Sequence, residues 1–163
     1  MIVSFTGHRP QKIGGFDVPN PTYNGIVAQI KKTLIELQPE KAISGMALGV
    51  DQWAAEICIE LKIPFIAAVP FEGQEKIWPQ TSQDRYNALL QKAEEIVYVS
   101  EPGYAASKMQ RRNVWMVDNS DTLIAVYDGS GGGTGNCVKY AESISKKIVL
   151  INPRSLMDKA HDS

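Results

Sequence analysis

The sequence predicts an α/β domain of three layers, with a mainly parallel sheet of five or six strands between two layers of helices. Two observations carry this. Six short apolar runs, each too brief for a helix, alternate along the chain with segments whose apolar residues recur at helical spacing. Such alternation calls for right-handed crossovers, which place helices on both faces of a parallel sheet. Three glycine-bearing loops, at Gly7, at Gly45 to Gly49 and at Gly129 to Gly135, directly follow apolar runs. They therefore fall at the carboxyl edge of the sheet, where folds of this kind bind ligands.

Taken in order, Met1 to Phe5 reads as a first strand that runs into the polar turn Thr6-Gly7-His8-Arg9-Pro10. Gln11 to Pro21 is irregular. Ile26, Ile30, Leu34 and Leu37 then mark one face of a helix that Pro39 stops. Ala42 to Ser44 is a second strand, and its glycine loop opens a helix carrying Trp53, Ala54, Ile57 and Leu61. Phe65 to Val69 is a third strand, Pro70 to Ser82 an extended connection, Gln83 to Glu94 a helix and Ile96 to Val99 a fourth strand. Ala105 to Asn119 reads as a helix with Met109, Asn113, Met116 and Val117 towards the sheet, Lys108 and Arg111 on a wetter face, and Arg112 at the border.

Leu123 to Tyr127 is bounded by turn formers and reads as a strand buried on both faces, near the centre of the sheet. Five glycines follow it within Gly129 to Gly135, then a helix from Thr134 to Ser145 with Val138, Ala141, Ile144 and Ser145 near helical spacing, then a strand from Ile148 to Ile151. The domain is expected over residues 1–153, with 154–163 as a loose tail without apolar period.

Strand, glycine loop and helix in that order make an anion site, because glycines let a ligand approach the backbone and the helix start offers free N–H groups and a positive dipole end. Neither G-x-x-x-x-G-K-[ST] nor a strict G-x-G-x-x-G is present: no Lys follows the loop, and Thr134 stands where the last Gly would be. At 163 residues the chain is one domain of ordinary size. With 21% charged and 44% hydrophobic residues and a formal net charge of -1, neither disorder nor a general nucleic-acid affinity is expected.

Cys58 and Cys137 fall in predicted helices without metal-ligand spacing, so no metal site and no resident cofactor is expected, while spacing alone leaves a disulfide open. No basic region followed by a long apolar stretch opens the chain and no run approaches a membrane span, so a cytoplasmic protein with no membrane partner is expected. An exposed apolar helix face could still pair two subunits.

Arg9 and Arg112 are the cations best suited to meet a phosphate, since guanidinium offers a fork of donors. Asp51 could accept from ribose hydroxyls or serve as the N-cap of its helix, and Asp128 could be a ligand acceptor or a turn former. His8 could be a general acid or base, but with no visible partner in the sequence it better suits a loop histidine that at most hydrogen-bonds the ligand. Trp78, Tyr86 and Tyr104 could stack on a planar base, and Tyr86, inside a helix, also suits the core.

Thr6-Gly7-His8-Arg9-Pro10, the run from Ser44 to Glu56, Arg112-Asn113 with Met116 to Asp121, and Tyr127-Asp128-Gly129 with Gly132-Gly133-Thr134 together resemble the YpsA-like branch of the SLOG superfamily, from Met1 to about Pro153. The resemblance implies a Rossmann-like sheet that binds nucleotides or nucleotide-derived ligands at these loops. Thr6, Gly7, His8, Arg9, Ser44, Gly45, Gly49, Asp51, Arg112, Asn113, Asp128, Gly132, Gly133 and Thr134 are then the expected ligand-binding residues.

The LOG phosphoribohydrolases of the same superfamily carry Pro-Gly-Gly-x-Gly-Thr-x-x-Glu with a catalytic Glu. Matching Gly133-Thr134 to that motif puts Cys137 at the Glu and Ser130 at the Pro. A sensor or sequestering protein for a nucleotide-like molecule, ADP-ribose-like among others, is therefore expected. The alternative is a LOG-like N-glycosidase with Asp51 or Asp128 as its carboxylate. Single-stranded DNA, the ligand of the superfamily's DNA-processing members, is disfavoured by the charge balance and the lack of a basic stripe.

Overall fold

A computed structural model describes residues 1–155. The strands are β1 (Ile2–Gly7), β2 (Lys41–Ser44), β3 (Phe65–Val69), β4 (Glu95–Tyr98), β5 (Thr122–Val126) and β6 (Lys147–Ile151). Between them run α1 (Pro21–Leu37), α2 (Val50–Glu60), α3 (Gln80–Lys92), α4 (Ala106–Asp118) and α5 (Gly133–Ser143). The sheet is six-stranded and parallel at every pairing, in the order β4-β3-β2-β1-β5-β6.

Period-two alternation sorts the strand side chains into the two helical layers. Val3, Phe5, Ala42, Phe65, Ala67, Val69, Ile124 and Val126 pack with the apolar stripes of α1, α2 and α3. The intervening Leu123 and Ala125 pack with Val117 of α4 and Cys137, Val138 and Ala141 of α5, and Ile43 and Ala68 with Met116 of α4. On α1 the spacing of Ile26, Ile30 and Leu34 gives the buried stripe. That helix starts at Asn20, whose side chain accepts from the Tyr23 N–H with Pro21 following, and stops at Gln38 in the left-handed region (φ 47°), before Pro39.

Several expectations shift. β5 is buried throughout and paired on both sides, yet it is second from one edge, and β1 and β2 hold the centre. A 3-10 turn at Pro10–Lys12 breaks the irregular stretch after β1, and another at Gln74–Ile77 leads into α3, which begins at Gln80, earlier than expected. α5 ends at Ser143, leaving Ile144 exposed and Ser145 in the left-handed region at φ 57°. Lys108, expected on a wet face, is buried, and its ammonium donates to the carbonyls of Glu101 and Gly103 at 2.8 and 2.7 Å and of Pro102 at 3.3 Å. Most of the expected tail lies outside the described residues, and residues 153–155 carry helical backbone.

The connections after β1, β2 and β3 cover one face, and those after β4 and β5 cover the other. The strand order reverses between β1 and β5, so neighbouring chains leave there to opposite faces and open a crevice at the carboxyl edge. The three glycine loops follow the adjacent strands β2, β1 and β5.

Gly7, at the end of β1, is where α2 comes closest: a Cβ there would stand 2.5 Å from Val50 Cβ. Gly7→Ala should therefore cost about 1–3 kcal/mol as an overpacked contact in the interior. Urea unfolding checks this, and an unchanged midpoint would mean that the start of α2 yields freely.

Candidate functional site

A cleft of about 520 Å³ lies at the reversal point, between the turn after β1, the glycine loop after β5 and the start of α4. Arg9 and Lys12 line one side, and the Lys12 ammonium donates to Ser130 Oγ and the Gly131 carbonyl, both at 3.3 Å. Residues 131–134 form the second wall. Gly132 is the N-cap of α5 at φ 121°, and the first helical bond runs from the Asn136 N–H to the Gly132 carbonyl at 3.0 Å. The N–H groups at 133 to 135 thus precede the helical ladder, and no side chain among the described residues caps them. A Cβ at 131, 132 or 133 would enter open space. The third wall is one face of α4, Ala106, Met109, Gln110 and Asn113 at helical spacing, with Tyr104 just ahead of it. Among the described residues no acidic one lines the cleft.

A polar cluster sealed from solvent fills the neighbouring loop after β2. Ser44 Oγ donates to the Asp51 carbonyl (2.7 Å) and accepts from the Met46 N–H (3.2 Å), and Asp51 Oδ2 accepts from the Ala47 N–H at 3.2 Å. Arg112, 4% exposed, reaches over from α4: Nη1 donates to the Gly45 carbonyl (2.5 Å) and Nε to Asn113 Oδ1 (3.0 Å). A Cβ on Gly45 would lie 2.7 Å from Arg112 Nη1 and 2.9 Å from Asp51 Oδ2, so that glycine makes room for the charged pair. Burial pushes the Asp51 carboxyl above its usual range, opposed first by Arg112.

His8 and Asp128 join the loops after β1 and β5. Asp128 Oδ1 accepts from the Ser130 N–H at 2.8 Å and stands 2.8 Å from His8 Nε2. The Asp128 N–H is also 3.2 Å from that nitrogen. Nε2 donates to Oδ1 when it carries the ring proton and accepts from the Asp128 N–H when it does not, so either tautomer joins the two loops. Hydrogen bonds from Ser130, and then His8, hold the Asp128 carboxyl well below the usual carboxylate range.

Of the residues expected to bind ligand, His8, Arg9, Asn113, Gly132, Gly133 and Thr134 line the cleft. Ser44, Gly45, Asp51 and Arg112 make up the sealed cluster, Asp128 holds His8, and Thr6 and Gly7 end β1. Arg112 is fully inside rather than at a border, because α4 crosses the sheet with that side chain towards the loop after β2. Asp51 is not the N-cap: Gly49 is, at φ 94°, and Asp51 is the second residue of α2. Trp78 and Tyr86 pack edge-to-face at 5.3 Å within the core, whereas Tyr104, 70% exposed, borders the cleft.

Cys58 and Cys137 are separate buried thiols, and burial pushes the Cys137 thiol up to about 11. Sequence reasoning missed Lys12 and Gln110. Lys12 follows Arg9 by three residues in the same turn, which was a usable signal. Gln110 could be found only by knowing which edge of the sheet α4 starts from.

The family model described as the YspA SLOG family matches residues 3–156. The SPbeta prophage-derived protein YoqJ of Bacillus subtilis (strain 168) is 36% identical over 144 residues, covering 76% of this chain and 84% of that protein. A UPF0398 protein of Shouchella clausii (strain KSM-K16) is 31% identical over 139 residues, 79% of this chain and 74% of its own. Among solved structures, DNA processing protein A of Streptococcus pneumoniae superposes with a TM-score of 0.69 at 15% identity, covering 92% of this chain, which spans half (50%) of that one. The Helicobacter pylori counterpart, described by its single-stranded DNA binding mode, gives 0.67 at 20% identity, covering 93% of this chain and 65% of that one. A molybdenum cofactor binding protein of Rippkaea orientalis gives 0.60 at 16% identity, covering 98% and 84%. These three likenesses are of fold. The glycine loops on one edge, the reversal between β1 and β5 and the family match over nearly the whole described chain lead to one identification: the chain belongs to the YspA SLOG family.

Proposed function

We propose that this protein binds a phosphate-bearing small molecule, a nucleotide or a nucleotide-derived compound such as an ADP-ribose derivative, and acts as a sensor or sequestering protein for it. The observation that carries the reading is the one-sided chemistry of the cleft. Arg9, Lys12 and the uncapped start of α5 all favour an anion, and no carboxylate among the described residues lines the cleft to oppose one. Its volume, about 520 Å³, falls within the roughly 300–1,000 Å³ of small-molecule sites.

The same inventory favours binding over hydrolysis. Breaking an N-glycosidic bond needs a carboxylate that stabilises positive charge on the sugar or activates water. Asp51 is sealed beneath Gly45, Asp128 is engaged by Ser130 and His8, and Cys137 is a protonated thiol in the core. The structural likeness to DNA processing protein A makes single-stranded DNA a competitor to be tested beside nucleotides.

A thermal-shift screen with mononucleotides, ADP-ribose, cyclic dinucleotides and a single-stranded oligonucleotide should show stabilisation by a phosphate-bearing small molecule. Stabilisation by the oligonucleotide alone would overturn the reading. Gly133→Val should abolish that binding in calorimetry with the fold kept, because the added side chain fills open space at a residue without positive φ. Gly132, at φ 121°, would be strained by any substitution and is the poorer test.

The bound compound should be recovered intact after long incubation with stoichiometric protein at pH 7. Chromatography showing multiple-turnover release of a free base, lost in Asp51→Asn or Asp128→Asn, would make the protein a hydrolase. Acid should loosen the clamp between the loops. The folded-state pKa of Asp128 is depressed, so its stabilisation is complete above its unfolded value of about 3.9 and is lost as pH falls below that. The decline in melting temperature below about pH 4 should be shallower in Asp128→Asn, and parallel declines would remove Asp128 from the account.

A further inference from the structure

The α4 wall of the cleft has a fixed hydrogen-bonding polarity, and it can be traced from a buried charge. Arg112 carries only N–H donors, so its Nε, 3.0 Å from the Asn113 side chain, requires the Asn113 oxygen to face it. The Asn113 amide nitrogen must then point the other way. It donates to the Gln110 oxygen at 3.3 Å, which engages one lone pair of that oxygen and sets the amide's orientation. One lone pair of each amide oxygen is thereby engaged, and the donors left over on these two cleft-lining residues are the Gln110 NH2 and the second Asn113 N–H. None of these has a partner among the described residues. Arg112 is itself held by the Gly45 carbonyl and the charge of Asp51, so Asn113 cannot turn over without stranding the buried Nε donor, and a turned Gln110 would set its NH2 against that of Asn113.

Beside this donor pair stand Tyr104 and Met109, an aromatic ring and a thioether suited to the face of a planar group, across the cleft from the cationic end. Two neighbouring donors match a ring edge with two neighbouring acceptors. The O6 and N7 atoms of a 6-oxopurine form such an edge, whereas a 6-aminopurine sets an N6 donor beside N7.

We infer that the ring end of the cleft selects a 6-oxopurine nucleotide over its 6-amino counterpart, with Gln110 and Asn113 reading the O6/N7 edge and Arg112 acting as the positioning residue that fixes their polarity. This rests on the cleft being the phosphate-binding site proposed above. The pair of compounds that isolates it is inosine monophosphate and adenosine monophosphate, which share the sugar and the phosphate.

In titration calorimetry on the full chain, the inosine compound should bind about tenfold or more tightly, the discrimination of a good bidentate contact. 7-Deaza-inosine monophosphate, which lacks the N7 acceptor, should lose most of that advantage. Gln110→Glu replaces the donors with carboxylate oxygens and still accepts from Asn113. It should weaken both ligands, and it should reverse their order in favour of the adenosine compound. Arg112→Lys keeps the charge but loses the Nε donor, and if it folds it should bring the ratio towards one, a readout that loss of stability alone would not move. Equal affinities in the wild type, preference for the adenosine compound, or a ratio that Gln110→Glu leaves unchanged would overturn the inference while leaving the phosphate site standing. If neither nucleotide, nor ribose 5-phosphate, nor inorganic phosphate binds, the cleft itself fails, and the inference with it.

Discussion

Right-handed crossovers force each connection onto the face set by the direction in which the sheet grows, and in this chain that direction reverses once, between β1 and β5. The rest of the structure depends on that reversal. It sends α1, α2 and α3 to one layer and α4 and α5 to the other, and it parts the chains leaving β1 and β5 so that a crevice opens between them. It also obliges α4 to travel back across the sheet from the edge strand β4 to β5, so that its first turns wall the crevice.

That crossing is held by a buried ionic group. An unpaired guanidinium inside a protein is costly, and breaking its arrangement by removing one partner would be more so. Arg112 avoids this with the Gly45 carbonyl, the Asn113 oxygen and the nearby Asp51 charge, at a spot that opens only because residue 45 has no side chain. The cluster thus links the loop after β2 to α4, and what lines the cleft on that side inherits its orientation. On the far side the His8–Asp128 contact links the loops after β1 and β5. The cleft is therefore framed by two polar joints, neither of which puts a carboxylate among its lining residues.

The glycine-rich start of α5 is poor helix-forming sequence, each glycine costing roughly 1 kcal/mol relative to alanine in a helix interior. The helix forms because Cys137, Val138 and Ala141 pack against Leu123 and Ala125. Gly135 also lets the loop fold close, since a Cβ there would meet the Ser130 carbonyl at 3.0 Å. Local helical preference is given up at this uncapped helix start, and packing one turn later makes it good.

Periodicity alone determined much of this molecule. Strands buried on both faces declare themselves as short apolar runs, helices as stripes such as Ile26, Ile30 and Leu34, and glycine loops directly after strands must share one edge of a parallel sheet. His8, Arg9, Gly132, Gly133 and Thr134 were legible as cleft residues because each lies within a few residues of a strand end, and local chain order fixes its position. Arg112, Lys108 and Asp51 were misplaced for the opposite reason. Helical spacing says which residues share a face, but whether a charged residue on that face meets solvent or another loop depends on a crossing from the far edge of the sheet. Gln110 became visible on the same terms, since its amide is oriented through Asn113 by Arg112, and Arg112 by a carbonyl 67 residues away in sequence. Such long-range partners leave no periodic trace in a single chain, so the tertiary structure alone decided which polar groups are sealed and which face the cleft.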